Sequence, residues 1–193
     1  MNLIENIRNY GSNYFLRKGL GSVVRKKKLI HIDSAVSVAI LFELTDESVY
    51  YSVQKYLQKL QEKKVKVKAI GYTNNKQASN HFLPVLAFDI LNDKQTNWFK
   101  VPKAQSVQDF IQMDFDVCIN LASENIFPLK YIAALSISRL KVGAYHNEMG
   151  EAKYKELGII YDIMMMVEEN HDQIEFLNQV HDYLTILNPK ENV

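Results

Sequence analysis

The chain has 193 residues, of which 47% are hydrophobic and 23% are charged, and its formal net charge is +1. This composition is that of a globular domain with a buried core, and no stretch reaches the ~18 apolar residues that a membrane span requires. The single cysteine, Cys118, excludes an intrachain disulfide, and its apolar neighbours favour a core position over a catalytic thiol. Because the N-terminus also lacks the pattern of a secretory signal, we expect a cytoplasmic protein without an integral membrane segment.

Charge is distributed unevenly along the chain. Residues 1–28 contain seven basic residues and one acid, Glu5, which gives this segment a charge of +6. The remaining residues contain 16 basic and 21 acidic side chains and therefore carry −5. A basic segment on a mildly acidic body is typical of proteins that bind polyanions. The candidate nucleic-acid-binding residues are Arg8, Arg17, Lys18, Arg25, Lys26, Lys27 and Lys28.

The same segment has helical periodicity. Leu3, Ile7, Tyr10 and Tyr14 recur at helical spacing over residues 2–18, which predicts a helix with one apolar and aromatic face. This arm could dock on RNA, with Tyr10, Tyr14 and Phe15 stacking on bases, or lie on an anionic membrane surface. Alternatively, the apolar face packs on the protein's own domain while the basic residues stay solvated. The sequence does not decide among RNA binding, membrane binding and packing on the domain.

The next elements predict parallel β-structure. Residues 36–42 form an apolar strand, a helix capped by Thr45 runs to about Lys63, and residues 64–72 form a second strand. A strand over 85–91, an extended segment over 97–102 and a short helix over 106–113 follow.

The segment from Phe115 to His146 reads as strand, turn, helix and strand, with Pro128 at the start of the helix. A last strand over 159–167 and a final helix, capped by Asn170, complete the chain. Strands that alternate with helices predict an α/β, three-layer Rossmann-like domain. Its mostly parallel sheet would have about five or six strands, with helices on both faces. We assign residues 1–28 to the basic helical arm and residues 29–193 to this domain.

A ligand crevice is expected where the strands of such a sheet end at their carboxyl termini. The polar residues that follow the predicted strands are Thr45, Asp46, Asn120, Ser123, Glu124 and His146. This is an argument from position alone, since no glycine-rich phosphate loop, nucleophile elbow or zinc motif is present. The sequence therefore predicts no catalytic residue, no metal and no cofactor, and it favours a binding protein over an enzyme.

A family resemblance rests on Asp114 to His146, in particular Asp-Phe-Asp-Val-Cys-Ile-Asn-Leu, Pro-Leu-Lys-Tyr-Ile-Ala-Ala-Leu-Ser and Leu-Lys-Val-Gly. With Ile40-Leu41-Phe42, Asn97-Trp98-Phe99 and the basic arm, the whole chain resembles an uncharacterised domain-of-unknown-function family of Bacteroidetes-type bacteria. The resemblance implies a Rossmann-like cytoplasmic protein and no nameable activity. Asp114 to Gly143 is similar, more weakly, to the N-terminal half of heptosyltransferase-type glycosyltransferases. Their second, nucleotide-sugar-binding half has no room in 193 residues.

Three hypotheses for function follow. The first is a noncatalytic Rossmann-like protein that the arm anchors to RNA, with ribosomal RNA among the candidates and an anionic membrane surface as the close variant. The second is a small-ligand binder or glycosyltransferase-like enzyme that uses the crevice. The third is an interaction scaffold, including a homo-oligomer formed through an edge strand.

Overall fold

The computed structural model describes residues 3–74, 87–123, 125–168 and 171–187. The described residues form six strands, β1 to β6, and six α-helices, α1 to α6. The strands are Ser37–Glu43, Lys66–Thr73, Phe88–Asn92, Val117–Asn120, Leu140–Tyr145 and Ile163–Met166. The helices are Leu3–Leu20, Glu47–Glu62, Gln105–Gln112, Phe127–Leu135, Glu151–Ile160 and Gln173–Ile186.

The six strands form one sheet in the order β3-β2-β1-β4-β5-β6, and every pair is parallel. This confirms the predicted Rossmann-like architecture, and the strand order is that of the dinucleotide-binding fold. The chain builds outward from β1 to β3, then returns to place β4 on the other side of β1. The carboxyl ends of β1 and β4 therefore flank the point at which the strand order reverses.

Helices cover both faces of the sheet and create two apolar cores. One core packs α2 and α6 on the sheet through residues such as Val53, Leu57 and Phe176. The other packs α1, α3, α4 and α5 on the opposite face, and it includes Leu16 and Phe110. The central strands are buried on both sides, which explains why they read as continuous apolar runs. Cys118 lies in the second core, where burial raises the pKa of its thiol to about 11.

Two predicted helix caps differ from the observed ones. The amino terminus of α2 is capped by Asp46, whose carboxylate accepts a hydrogen bond from the Val49 N–H at 3.1 Å, and not by Thr45. The N-cap of α6 is Asp172, whereas the predicted cap, Asn170, lies outside the described residues. In both cases a carboxylate two or three residues before the amide is the better acceptor because its charge also suits the helix dipole.

Helix α1 packs on the domain in the orientation opposite to the one its apolar periodicity suggests. Its buried residues are Gly11, Ser12 and Leu16, whereas Leu3 and Tyr10 on the apolar face are exposed. The Ser12 hydroxyl lies 2.8 Å from the carbonyl oxygen of Phe99. Small residues allow the close approach of helix and domain, so the apolar face is left in solvent.

The segment after α1 is also attached to the domain. The Lys28 N–H donates to the Arg139 carbonyl at 3.1 Å. The Arg25 guanidinium makes two hydrogen bonds to Asp162, of 2.6 and 2.7 Å, and only 7% of its side chain is exposed. Residues 3–28 thus lie along the domain from the carboxyl to the amino edge of the sheet, and they supply Leu16 and Arg25 to its interior.

The close approach at Gly11 makes a specific prediction. Alanine normally stabilises a helix by about 1 kcal/mol relative to glycine, but a Cβ at Gly11 would lie 2.1 Å from the Phe99 ring. We expect Gly11→Ala to destabilise the protein by about 1–3 kcal/mol because the helix or the ring must shift. Urea unfolding measures the change, and Asn6→Ala, at an exposed position of the same helix, is the control. A Gly11→Ala variant that is as stable as Asn6→Ala would contradict this packing.

Candidate functional site

The exposed side of α1 carries aliphatic, aromatic and basic residues in one stripe. Helical geometry places its members on one side of the helix, since the first four follow one another at intervals of three or four residues and the last two lie three and four residues after the fourth. We call this stripe the outer face of α1, formed by Leu3, Ile7, Tyr10, Tyr14, Arg17 and Lys18. Tyr10 is 80% exposed and Tyr14 is 57% exposed. Such rings on a surface are available for contact with another molecule.

Three further lysines follow α1 in the extended segment. Lys26, Lys27 and Lys28 are exposed, although Lys27 also contacts Asp162 at 3.2 Å. They lie at the amino edge of the sheet, the edge toward which α1 ends, because Lys28 is bonded to the residue before β5. Exposed cations thus occur both at the end of α1, in Arg17 and Lys18, and in the segment that follows it.

Arg8 and Arg25 are not among these exposed cations. Arg25 is bound to Asp162 in the interior, as described above. Arg8 points to the other side of α1, where its guanidinium carbon lies 5.6 Å from the centre of the Trp98 ring. Its Nε is buried without a hydrogen-bond partner. The seven basic residues predicted as one group are thus divided by the fold among a surface, a buried ion pair and a cavity wall.

The cavity beside Arg8 lies between α1 and the carboxyl edge of the sheet, and its volume is about 270 Å³. We call it the α1 cavity. It is lined by Glu5, Arg8, Asn9, Ser12, Tyr72, Asn74, Lys100, Asn125, Ile126, Phe127 and Pro128. Its walls come from α1, from the end of β2 and from the loop that joins β4 to α4. Because β1 lies between β2 and β4, the cavity spans the carboxyl end of β1.

A hydrogen-bonded group supports one wall of the α1 cavity. The Tyr72 phenol donates to Asp93, and Lys100 donates to the same carboxylate at 2.6 Å. Partial burial acts to raise the pKa of Asp93, but the bonds from Lys100 and Tyr72 outweigh it and hold this pKa below its ordinary value. The pKa of Tyr72 is raised by burial and by Asp93. Asp93 is thus an anion and Tyr72 a neutral donor at neutral pH, which fixes Lys100 at the cavity.

Of the residues predicted to line a crevice, Glu124 lies outside the described residues, and the other five do not line the α1 cavity. Thr45 donates to Asp46, which caps α2. Asn120 is buried and donates to the Tyr161 hydroxyl at 2.7 Å.

The remaining two predicted crevice residues also lie apart. The Ser123 hydroxyl accepts from the Asn125 N–H at 3.3 Å, within the turn. His146 lines a separate cavity of about 240 Å³ with Asn147, Glu148 and Glu168. The predicted edge of the sheet does carry cavities, but these side chains are not gathered into a single one.

Most residues that line the α1 cavity could not be identified from the sequence. The polar turn after the second predicted strand, which contains Tyr72 and Asn74, was the one feature that indicated a site there. Lys100 could not be predicted as a cavity residue, because it lies in an irregular loop in which its φ is 60°.

Among the described residues, no group of three or more histidine, cysteine, aspartate or glutamate side chains is arranged to hold a metal ion. None of the described helices is long and apolar enough to cross a lipid bilayer.

Comparison with known proteins places nearly the whole chain in one family. The model of a family described as a family of unknown function (DUF6913) matches residues 8–187. The match includes Arg8, most of α1 and every strand of the sheet. No curated protein matches the chain.

Proposed function

The chain belongs to the DUF6913 family of unknown function, and we propose that it is an RNA-binding protein that uses the outer face of α1 and the lysines that follow. The observation that supports this most is that α1 carries exposed tyrosines and exposed cations together. Arginine and lysine bind phosphates, while aromatic rings stack on bases. Most of these side chains are exposed, although the Tyr14 ring contacts Phe15 and Lys27 contacts Asp162.

The spacing of the two tyrosines favours single-stranded RNA. Tyr10 and Tyr14 are four residues apart, which separates them by about 6 Å along the helix axis. Bases of a duplex are stacked on each other and cannot also stack on these rings, whereas unpaired bases can. Arg17 and Lys18 lie on the same face, where the phosphates that flank two stacked bases would pass. Arg8 and Arg25 are left out of this surface because their guanidinium groups face the cavity wall and Asp162.

An anionic membrane surface is the second candidate. It is favoured by the aliphatic part of the outer face, where Leu3 is 72% exposed and Ile7 is 51% exposed. A helix with such residues next to basic ones can lie in the interface of anionic lipids. Binding of vesicles that requires Leu3 and Ile7 but not Tyr10 and Tyr14 would support this candidate and not RNA.

Point variants test the RNA proposal better than removal of residues 1–28, because Leu16 and Arg25 belong to the interior. We expect Tyr10→Ala with Tyr14→Ala to weaken binding of unstructured RNA by about tenfold or more, with the salt dependence unchanged, because stacking is not ionic. Arg17→Gln with Lys18→Gln should lower the slope of log affinity against log salt by about 1.4, since each phosphate contact contributes about 0.7. Fluorescence anisotropy with a labelled oligonucleotide over a salt series measures both effects.

The control is Lys55→Gln with Lys59→Gln, which removes two exposed charges from α2 on the opposite face of the sheet. This pair should leave the affinity and the salt slope nearly unchanged. If it weakens binding as much as the Arg17 and Lys18 pair does, the interaction is a general attraction to positive charge. That result would overturn the proposed surface.

A further inference from the structure

We propose that the α1 cavity is a binding site for a small phosphorylated molecule, whose phosphate group contacts Arg8 and Lys100. This site is separate from the proposed RNA surface, because Arg8 and the outer face lie on different sides of α1. It also differs from the predicted crevice, whose described residues do not line it.

The position of the cavity is the first argument. It spans the carboxyl end of β1, and β1 and β4 flank the point at which the strand order reverses. In open parallel sheets, ligands bind outside the carboxyl ends of the strands at this reversal. Here α1 covers that position from one face of the sheet, and it contributes Glu5, Arg8, Asn9 and Ser12 to the wall. The arm thus helps to enclose a cavity at the place where this topology leaves one.

The second argument is the state of Arg8. Its Nε is buried and has no hydrogen-bond acceptor, an arrangement that costs free energy unless a partner is bound. The guanidinium carbon lies 5.6 Å from the centre of the Trp98 ring, a cation–π contact that uses none of the N–H donors. An arginine fork matches the oxygens of a phosphate or carboxylate bidentately. Arg8 thus lines the cavity with a buried Nε that has no acceptor, and an anion bound to its guanidinium group would compensate the buried charge.

The donor groups of the cavity favour phosphate over carboxylate. Among the described residues of the wall, Arg8 and Lys100 are the cations and Glu5 is the acid. Lys100 is held in place by Asp93 at 2.6 Å, but an ammonium group has three donors and can bind a second acceptor. A carboxylate has two oxygens, which the Arg8 fork alone would occupy, whereas a phosphate monoester has three terminal oxygens and can accept from both Arg8 and Lys100.

The described backbone N–H groups at the amino end of α4 are already bonded within the chain. At the amino end of α4, the Phe127 N–H donates to the Asn125 carbonyl at 3.0 Å and the Leu129 N–H to the Ile126 carbonyl at 3.1 Å. Pro128, between them, has no N–H. This end of α4 therefore offers the phosphate no backbone donor, which differs from the glycine-rich cradle of dinucleotide sites.

The size of the cavity limits the rest of the ligand. A volume of about 270 Å³ lies just below the roughly 300–1,000 Å³ of typical ligand pockets, so the molecule is small. Ile126, Phe127 and Pro128 form an apolar part of the wall, which would contact a compact apolar or planar body. We therefore expect a phosphate monoester of such a body to bind more tightly than inorganic phosphate.

Arginine Nε–H signals in ¹H–¹⁵N NMR spectra of the full chain provide the test. Titration with inorganic phosphate, at constant ionic strength maintained with chloride, should shift the Arg8 signal saturably and leave the Arg17 signal in place. Phenyl phosphate should produce the same shift with about tenfold higher affinity, because its ring is removed from water. Arg8→Gln should abolish binding, and Arg17→Gln, on the outer face of the same helix, should preserve it.

Several results would overturn the site. They are the absence of a saturable shift at Arg8, an equal shift at Arg17, or benzoate that binds as tightly as phenyl phosphate. If Arg8→Gln does not fold, Lys100→Gln takes its place and should weaken phenyl phosphate at least tenfold. Unchanged binding in that variant would also contradict the proposal. RNA binding is measured on the same variants, and it should survive Arg8→Gln even if phosphate binding is lost.

Discussion

Asp162→Asn is expected to lower the free energy of unfolding by about 3–5 kcal/mol. The Asp162 carboxylate accepts two hydrogen bonds from Arg25, at 2.6 and 2.7 Å, and one from the Lys141 N–H at 3.0 Å. The side chain of Arg25 is 7% exposed and that of Asp162 is 13% exposed. Asparagine keeps the shape of aspartate but removes its charge, which leaves the Arg25 cation buried without a counterion.

The dependence of this effect on pH follows from the pKa of Asp162. Burial acts to raise this pKa, but hydrogen bonds from Arg25 and the Lys141 N–H outweigh burial, so that the pKa lies below its ordinary value. A carboxyl group whose pKa is lower in the folded state stabilises the fold above its unfolded pKa, which is about 3.9. That stabilisation is lost as the pH falls through the folded pKa. The stability difference between wild type and Asp162→Asn should therefore be constant near neutrality and decrease below about pH 4.

Urea unfolding at several pH values measures this difference. The control is Asp33→Asn, which removes an exposed ion pair with Lys63 at 3.0 Å and should cost no more than about 0.5 kcal/mol. If Asp162→Asn is no more harmful than Asp33→Asn, the arm segment is not held to the domain through Arg25. Loss of this ion pair should also increase proteolysis after Arg25 and its neighbouring lysines, which limited digestion with trypsin would detect.

Lys141→Met is expected to stabilise the protein at neutral pH. Lys141 lies in β5 and is 1% exposed, and its Nζ donates to the Ala134 carbonyl at 2.8 Å. Burial, assisted by the positive charge of Arg25, lowers the pKa of Lys141 from 10.5 to about 8. The folded state therefore releases this proton more readily than the unfolded state does. Buried charge at this position destabilises the native state whenever the lysine is protonated.

The pH effect has the same sign as that of Asp162, because both pKa values are lowered in the folded state, but it occurs in an alkaline pH range. Between about pH 8 and pH 10.5 the unfolded state binds more protons than the folded state, so wild-type stability gains a favourable contribution as the pH rises. The lowered pKa of Lys141 corresponds to a destabilisation of the native state by about 3 kcal/mol when the lysine is protonated. Methionine removes this destabilisation but also removes the hydrogen bond to Ala134, which contributes about 1 kcal/mol. We expect Lys141→Met to be more stable than wild type by about 2 kcal/mol near pH 7. The advantage should disappear near pH 10.

Chemical denaturation of both proteins across this pH range tests the prediction, with Lys59→Met, at an exposed position of α2, as the control. Since Lys59 is exposed, its replacement should not change the dependence of stability on pH. A Lys141→Met variant that is less stable than wild type at every pH would show that the bond to Ala134 contributes more than the buried charge costs. Parallel curves for the two proteins would contradict the lowered pKa.

The sequence by itself determined the architecture. Within the predicted strands, residues 38–42, 69–72 and 115–121 are buried on both faces, which only a sheet covered by helices on each side can achieve. The amino end of the second strand is exposed, as its lysines indicate. The turn and helix signals between them, such as Asp46 and Pro128, lie within a residue or two of the observed helix starts. These features are local, because they depend on periodicity and capping within a few residues, and so they can be read from the chain.

Only the tertiary structure decided how the N-terminal segment is used. Periodicity identified the apolar stripe of α1, but it could not say whether that stripe faces the domain or solvent. The outcome depends on Gly11, Ser12 and Gly19, whose small size lets the helix approach Phe99 and Leu135 closely. In the same way, the sequence shows seven basic residues close together but not which of them are exposed. Arg25 is paired with Asp162, which lies 137 residues away in sequence, and Arg8 lines the cavity at the end of β1. Steric fit and charge pairing over such distances arise only when the chain is folded.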